Sequence, residues 1–275
     1  MGDINELTDW QQALAGVDTV VHLAGRAHVM DSRWSLPCAW IPAFAGMTRV
    51  AGMTRGGNDE LLTFRKVNVY GTERLARMAV KAGVKRFIFI SSVKAEGNDA
   101  YGVSKREAED SLACIAKETG LEIVILRLPL VYGPGVKANF RNLIKLASSG
   151  LPLPFKGINN RRSFIYLGNL VDAILTCISH PLAAGETFMV SDGQDVSTPD
   201  LIKMIAGAMN KKAVLFSLHP VILKALCRIV GKSAELEKLT GSLLVDSSKI
   251  RDLLGWKAPW TLEEGIRETV NKGAS

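Results

Sequence analysis

The chain has 275 residues, 47% hydrophobic and 22% charged, enough to bury a full core as one large domain or as a domain with a smaller lobe. No apolar run reaches the roughly 20 residues of a membrane span, and MGDINELTDW lacks the basic-then-apolar order of a signal peptide, so a cytoplasmic protein without stable membrane insertion is expected. The +7 charge comes without a basic run interleaved with aromatics, which disfavours nucleic acid and suits a phosphate-bearing small substrate. Cys38, Cys114, Cys177 and Cys227 form no metal or disulfide pattern.

VDTVVHLAG, from Val17 to Gly25, is a short apolar run ending in small residues, which predicts a buried parallel strand and a loop. Between His28 and Asn58 the chain is rich in Gly, Pro and Trp, and AGMTR at Ala45 to Arg49 repeats at Ala51 to Arg55. Residues about 31–58 therefore read as an insertion, too brief for a repeat architecture. Its glycines make no phosphate loop, because no helix start is predicted in register after them.

From Asn68, NVYGTERLARMAVKAGV has the spacing of an amphipathic helix. VKRFIFISS predicts a strand closing on Ser91 and Ser92. DAYGVSKREAED then places Tyr101 and Lys105 one helical turn apart, and LEIVILRLPLVYGPG predicts a further strand ended by Gly and Pro. Strand alternating with helix means an α/β fold, a doubly wound parallel sheet. Past about Val136 the alternation loosens into a smaller lobe. There AVLFSLHPVILKALCRIV, interrupted by His219, Pro220, Lys224 and Arg228, reads as a helix over a substrate site rather than a membrane-surface helix.

The chemistry follows from position. Ligands bind at the carboxyl ends of parallel strands, where Ser92 falls. A phenol with a pKa of about 10 becomes a usable base when a cation favours its ionised form, and Lys105 is placed to supply that charge to Tyr101. A serine hydroxyl at Ser92 can hold the substrate oxygen. Together the three groups could deprotonate a secondary alcohol as hydride leaves.

HLAG, NVYGT, FISS, YGVSK, RLPLVYGPG, RRSFIYLGNLVDAI and LLGWKAPWTLEEGI, in that order, resemble the extended short-chain dehydrogenase/reductase superfamily, and within it the nucleotide-sugar epimerases, dehydratases and 4-keto-sugar reductases. The resemblance implies a Rossmann-type domain over residues 1–135 and a nucleotide-sugar lobe over 136–275, with about 164–178 returning to the sheet. It implies Ser92, Tyr101 and Lys105 as the catalytic set, Lys105 also holding the nicotinamide ribose of NAD or NADP. Further cofactor contacts are implied at Asp3 and Ile4 near the adenine, at Leu23, Ala24 and Gly25, at Asn68 and Ser91, and at Pro129 and Val131 beside the nicotinamide. Substrate contacts are implied at Ser92, at Asn139, and at Arg162, which would grip the diphosphate of a UDP-sugar. His22 is expected to be structural, and a homodimer is expected through helices like the one bearing Tyr101.

The departures carry expectations too. No GxxGxxG turn is present, and the chain opens at GDINELTD, which matches the family's third strand region. The first two strands are therefore expected to be missing, leaving the strand at Asp18 to Leu23 with an open edge. The segment VKAEGNDA between Ser92 and Tyr101 is short for the family and is expected to pull the two apart. Leu130 stands where many epimerases carry Asn, which leans toward a reductase-like or divergent branch. The leading reading is an NAD(P)-dependent epimerase or 4-keto reductase acting at C4 of a UDP-hexose or UDP-N-acetylhexosamine. A degenerate member without cofactor binding, and a non-catalytic binding protein on the same fold, stand beside it.

Overall fold

In the computed structural model, residues 4–23, 25, 57–136, 139–218, 220–229 and 233–272 are described. A short α1 (Gln11–Leu14) leads into β1 (Thr19–His22). Then α2 (Gly57–Arg65), a π-helical turn (Lys66–Gly71) and α3 (Thr72–Lys81) run on without a break to β2 (Arg86–Ser92). A 3-10 turn (Val93–Glu96) precedes the long α4 (Ala100–Thr119), followed by β3 (Glu122–Leu128) and β4 (Leu130–Tyr132). Next come α5 (Asn139–Ser148), β5 (Phe164–Tyr166), α6 (Leu167–Ser179), β6 (Thr187–Met189) and α7 (Thr198–Ala208). The chain continues through α8 (Pro220–Ile229), α9 (Ser233–Thr240), α10 (Ser248–Leu254) and α11 (Leu262–Lys272).

β1, β2, β3 and β6 form one parallel sheet in that order, with Val21 opposite Ile88 and Ser91 opposite Arg127. The α/β expectation holds. Among the described residues β1 pairs with β2 alone, and Val20 and Val21 are half-buried. β2 is buried from Arg86 to Ser91 because both its faces are covered. Phe87 and Phe89 pack with Leu75 and Ala79 of α3 and with Ala108, Leu112 and Ile115 of α4. Ile88 and Ile90 pack on the opposite face with Val124, Leu126, and Leu170, Ala173 and Ile174 of α6. Each of these β2 side chains contributes about 1.5–3 kcal/mol by leaving water. Arg86 locks α6 in place, Nη1 donating to the carbonyls of Cys177, Ile178 and His180 at its C-terminus.

Two features differ from expectation. LEIVILRLPLVY does not form a single strand: it breaks at Pro129, which has no N–H to continue the ladder, and β4 pairs instead with β5 in a second, two-stranded parallel sheet. A helix does start at Gly57, immediately after the glycines of the insertion. Asp59 and Glu60 in its first turn suit the positive end of the helix dipole, and Phe64 anchors it at 2% exposure. The same two carboxylates oppose a phosphate at that helix start. The AGMTR repeat, Asp3 and Ala24 lie outside the described residues.

A third apolar core gathers Tyr132, Phe140, Phe164, Leu201, Ile202, Ile205, Leu262 and Ile266 from β4, β5, α5, α7 and α11. Leu130 packs against this core. Among the described residues, no helix is long and apolar enough to cross a membrane.

Candidate active site

β2 delivers Ser92 to the carboxyl end of the sheet, and α4 begins just beyond, so Tyr101, Lys105 and Glu109 follow one another along a single face of α4 at four-residue spacing. Asp99 caps α4, its carboxylate accepting from Gly102 N at 3.0 Å. Ser92 Oγ accepts from Lys94 N at 3.2 Å, and the Ser92 hydroxyl lies near enough to the Tyr101 phenol to lower its pKa. The short segment between them therefore does not separate the pair. It lies flat on the start of α4, so close that a Cβ at Gly102 would collide with the Lys94 carbonyl oxygen.

Tyr101 is half-buried, edge-on to Phe64 at 5.9 Å between ring centroids, with the Lys94 ammonium 5.9 Å from its ring. Burial raises its pKa, the Ser92 hydroxyl opposes that rise, and the Asp99 charge adds to it. Lys105 was expected to pull Tyr101 the other way and is not among the groups that shift it. Its ammonium instead donates to Ile90 O at 2.9 Å and sits 4.6 Å from the Phe89 ring centroid. Burial lowers the Lys105 pKa to about 8, against the pull of Glu109. Tyr101 thus rests as a neutral phenol.

Three expected residues surround Lys105. Gly25 lies against the Lys105 ammonium: a Cβ there would lie 2.9 Å from Lys105 Nζ and 3.4 Å from Asn68 Oδ1, so a side chain would have to displace the ammonium. Asn68, buried in the π-helical turn, donates to Ser104 Oγ at 2.9 Å, and Ser104 donates to Tyr101 O at 2.7 Å, which pins the first turn of α4. π-Helical turns recur at functional sites. His22 shares a 3.0 Å hydrogen bond with Thr72 Oγ1. Burial first, then the Lys105 charge, lowers its pKa to about 4.

Ser91 faces α4. At 4% exposure, its hydroxyl donates to Glu109 Oε1 at 2.5 Å. Glu109, Arg127 and Glu96 were not singled out from the sequence. Arg127 Nη2 meets Glu109 Oε2 at 2.6 Å, and Arg127 Nη1 meets Glu96 Oε1 at 3.1 Å. The four-residue step from Tyr101 through Lys105 to Glu109 was the available signal.

The remaining expected residues are more dispersed. Ile4 packs against Gly71, whose Cβ would fall 2.8 Å from Ile4 Cγ2. Leu23 is 62% exposed. Pro129 is buried at the break between sheets, and Val131 packs against the core shared by β2 and β3. Asn139 heads α5, and its side chain lies outside the described residues. Arg162 belongs to the region of the third core. Its N–H donates to Val196 O at 3.0 Å, Nη1 donates to Gly241 O at 3.3 Å, and burial lowers its pKa. Near it in sequence, a cleft of about 320 Å³ is lined by Gly157, Ile158, Asn160, Leu218, Leu223 and Ser242.

A parallel α/β sheet with a Ser–Tyr pair at a strand's carboxyl end, and a buried Lys one turn along, defines an enzyme with a Rossmann-type fold. Comparison with known proteins agrees: residues 48–191 match the model of the NAD dependent epimerase/dehydratase family. The chain is 42% identical to a UDP-glucose 4-epimerase of Vibrio cholerae over 98% of its own length and 81% of that protein's. It is 27% identical to the N-acetyl-alpha-D-glucosaminyl-diphospho-ditrans,octacis-undecaprenol 4-epimerase of Escherichia coli O157:H7, covering 98% of this chain and 82% of that one. The UDP-glucuronic acid 4-epimerase of Bacillus cereus, solved in complex with NAD, shares the fold at a TM-score of 0.70 and 20% identity, covering 99% and 79% of the two chains. The chain belongs to the NAD-dependent epimerase/dehydratase family.

Proposed function

We propose that this protein is a nucleotide-sugar epimerase working at C4 of a UDP-hexose or UDP-N-acetylhexosamine, with 4-keto reduction as the related half-reaction. The observation that carries this reading is the placement of Ser92 at the carboxyl end of β2 beside Tyr101 at the start of α4, with Lys105 on the same face of that helix. The family and the 4-epimerase relatives supply the substrate class.

The site suits the nicotinamide end of NAD. An ammonium has three N–H donors; Lys105 commits one to Ile90 O and has others to offer a ribose diol, beside a glycine that keeps the approach open. When bound, NAD would supply the acceptor for hydride from C4. Ser92 holds the 4-oxygen of the sugar. Tyr101, a phenol at rest, donates its proton as a 4-keto oxygen becomes a hydroxyl. For the oxidation that opens epimerisation Tyr101 must first release its proton to solvent; the phenolate then takes the 4-hydroxyl proton as hydride leaves C4, and the Ser92 hydroxyl favours that ionised form. The Lys105 charge near the ribose is present below pH about 8. In the lobe of residues 136–275, Arg162 receives the diphosphate, a group that a guanidinium can bind bidentately, and Asn139 contacts the substrate.

The test begins with titration by NADH and by NADPH, read by nicotinamide fluorescence with and without UDP, and goes on to turnover of UDP-sugars. Saturable binding and C4 inversion are expected, with Tyr101→Phe lowering kcat about a thousandfold while circular dichroism is unchanged. A folded chain that binds neither dinucleotide overturns the reading.

A further inference from the structure

Ser92 and Tyr101 belong to different elements, the end of β2 and the start of α4, and only the turn at Val93–Glu96 and its few following residues join them. Something has to hold that turn. From β3, directly opposite Ser91 in register, Arg127 reaches over it. Its guanidinium donates to Glu109 through Nε and Nη2 and to Glu96 through Nη1. Glu109 also accepts the Ser91 hydroxyl, so β2, β3, α4 and the turn converge on one planar cation. A second cation clips the same turn from α4: Arg106 Nη1 donates to Ala95 O at 2.9 Å and to Gly97 O at 3.0 Å, the carbonyls on either side of Glu96.

We propose that Arg127 is a positioning residue, which by joining Glu96 of the turn to Glu109 of α4 sets the placement of Ser92 against Tyr101. This rests on the reading of Tyr101 as the proton-transfer group. The fork is what the job requires: two carboxylates on different elements are held in fixed directions, which a lysine, as a single charged point, cannot reproduce. Glu109 is buried at 7% side-chain exposure, whereas Glu96 is exposed at 56%. Ion pairs exposed as Glu96 is contribute little stability, so the Glu96 arm of the fork serves geometry. Displacement of a reacting group by about 1 Å costs up to a hundredfold in rate.

The experiment uses the full chain labelled with carbon-13 at tyrosine Cζ, a nucleus whose shift reports hydrogen bonding of the phenol, with Tyr101 assigned by its loss in Tyr101→Phe. Glu96→Gln and Arg127→Lys are each expected to move the Tyr101 resonance toward its position in Ser92→Ala. In turnover with a UDP-sugar, both lower kcat about tenfold while KM stays within twofold. The thermal midpoint of Glu96→Gln matches that of the parent, which keeps the test independent of folding. A Tyr101 resonance that stays at the parent position in both variants, while Ser92→Ala displaces it, overturns the positioning role and leaves the proposed function standing. A Ser92→Ala variant that leaves Tyr101 unmoved shows that the two side chains do not interact, and overturns both readings.

Discussion

Glu109 beside the Tyr101 site and Asp192 in the second sheet's region are both sheltered carboxylates, held in opposite ways. Glu109 meets a full positive charge, Arg127, plus the Ser91 hydroxyl. Among the described residues Asp192 meets neutral donors: Asn169 Nδ2 at 2.7 Å, Tyr166 N at 2.8 Å and Tyr132 Oη at 2.8 Å. Burial raises the Asp192 pKa against those hydrogen bonds. The difference teaches what each carboxylate does. Neutral donors staple β4, β5 and α6 together and pass on through Asn169 and Tyr132 to the carbonyls of Trp260 and Leu262 at the start of α11, whereas the charged pair extends through Arg127 to a surface turn and so connects the core with the site.

The comparison is broken most forcefully at Glu109. Glu109→Gln strips a largely buried guanidinium of its main counter-charge and is expected to cost about 4 kcal/mol in urea unfolding. A value near zero would place Glu109 with Asp192 as a replaceable hydrogen-bond acceptor. His22, next to the charged region, sharpens the contrast with pH. Its folded pKa is lowered from 6.5 to about 4, so its contribution is full above pH 6.5 and is lost as pH falls toward 4. That loss is about 3 kcal/mol, and His22→Gln should flatten the acid limb of the stability curve. The smallest effect belongs to Asp192→Asn, expected within about 1 kcal/mol of the parent at neutral pH, because an amide can replace the neutral hydrogen bonds. Since the Asp192 pKa is raised above 3.8, the parent loses stability as pH rises through the raised value, and the variant lacks that loss.

Much of the sheet and the central pair was readable from residue order. VDTVVHLAG and VKRFIFISS are apolar runs whose ends mark β1 and β2, and Tyr101 and Lys105 share a helix face wherever a helix forms. The side-chain directions of Ser91 and Ser92 were not readable. β2 is buried on both faces, so no apolar/polar alternation shows which serine meets α4 and which meets the phenol. The direction of the Tyr101 shift depended on where the Lys105 ammonium comes to rest, and that is decided by the Ile90 carbonyl, remote in sequence. The break at Pro129 was written in the sequence, but the run of apolar residues on both sides hid it. Glu109 and Arg127 read as ordinary surface charges until the register of β3 against β2 brings them together.

Gly102 links two properties of this chain that look independent. With no side chain at 102, the turn carbonyl of Lys94 can rest on the first turn of α4. Loop length and residue identity at that position are thus one inherited choice. A relative with any larger residue at the equivalent of 102 must arch its loop away from the helix, and grafting a longer loop into this chain would release position 102 to vary. In exchanges of this segment among family members, the turn and the glycine should be transplanted together, since either alone brings a backbone that the other cannot accommodate.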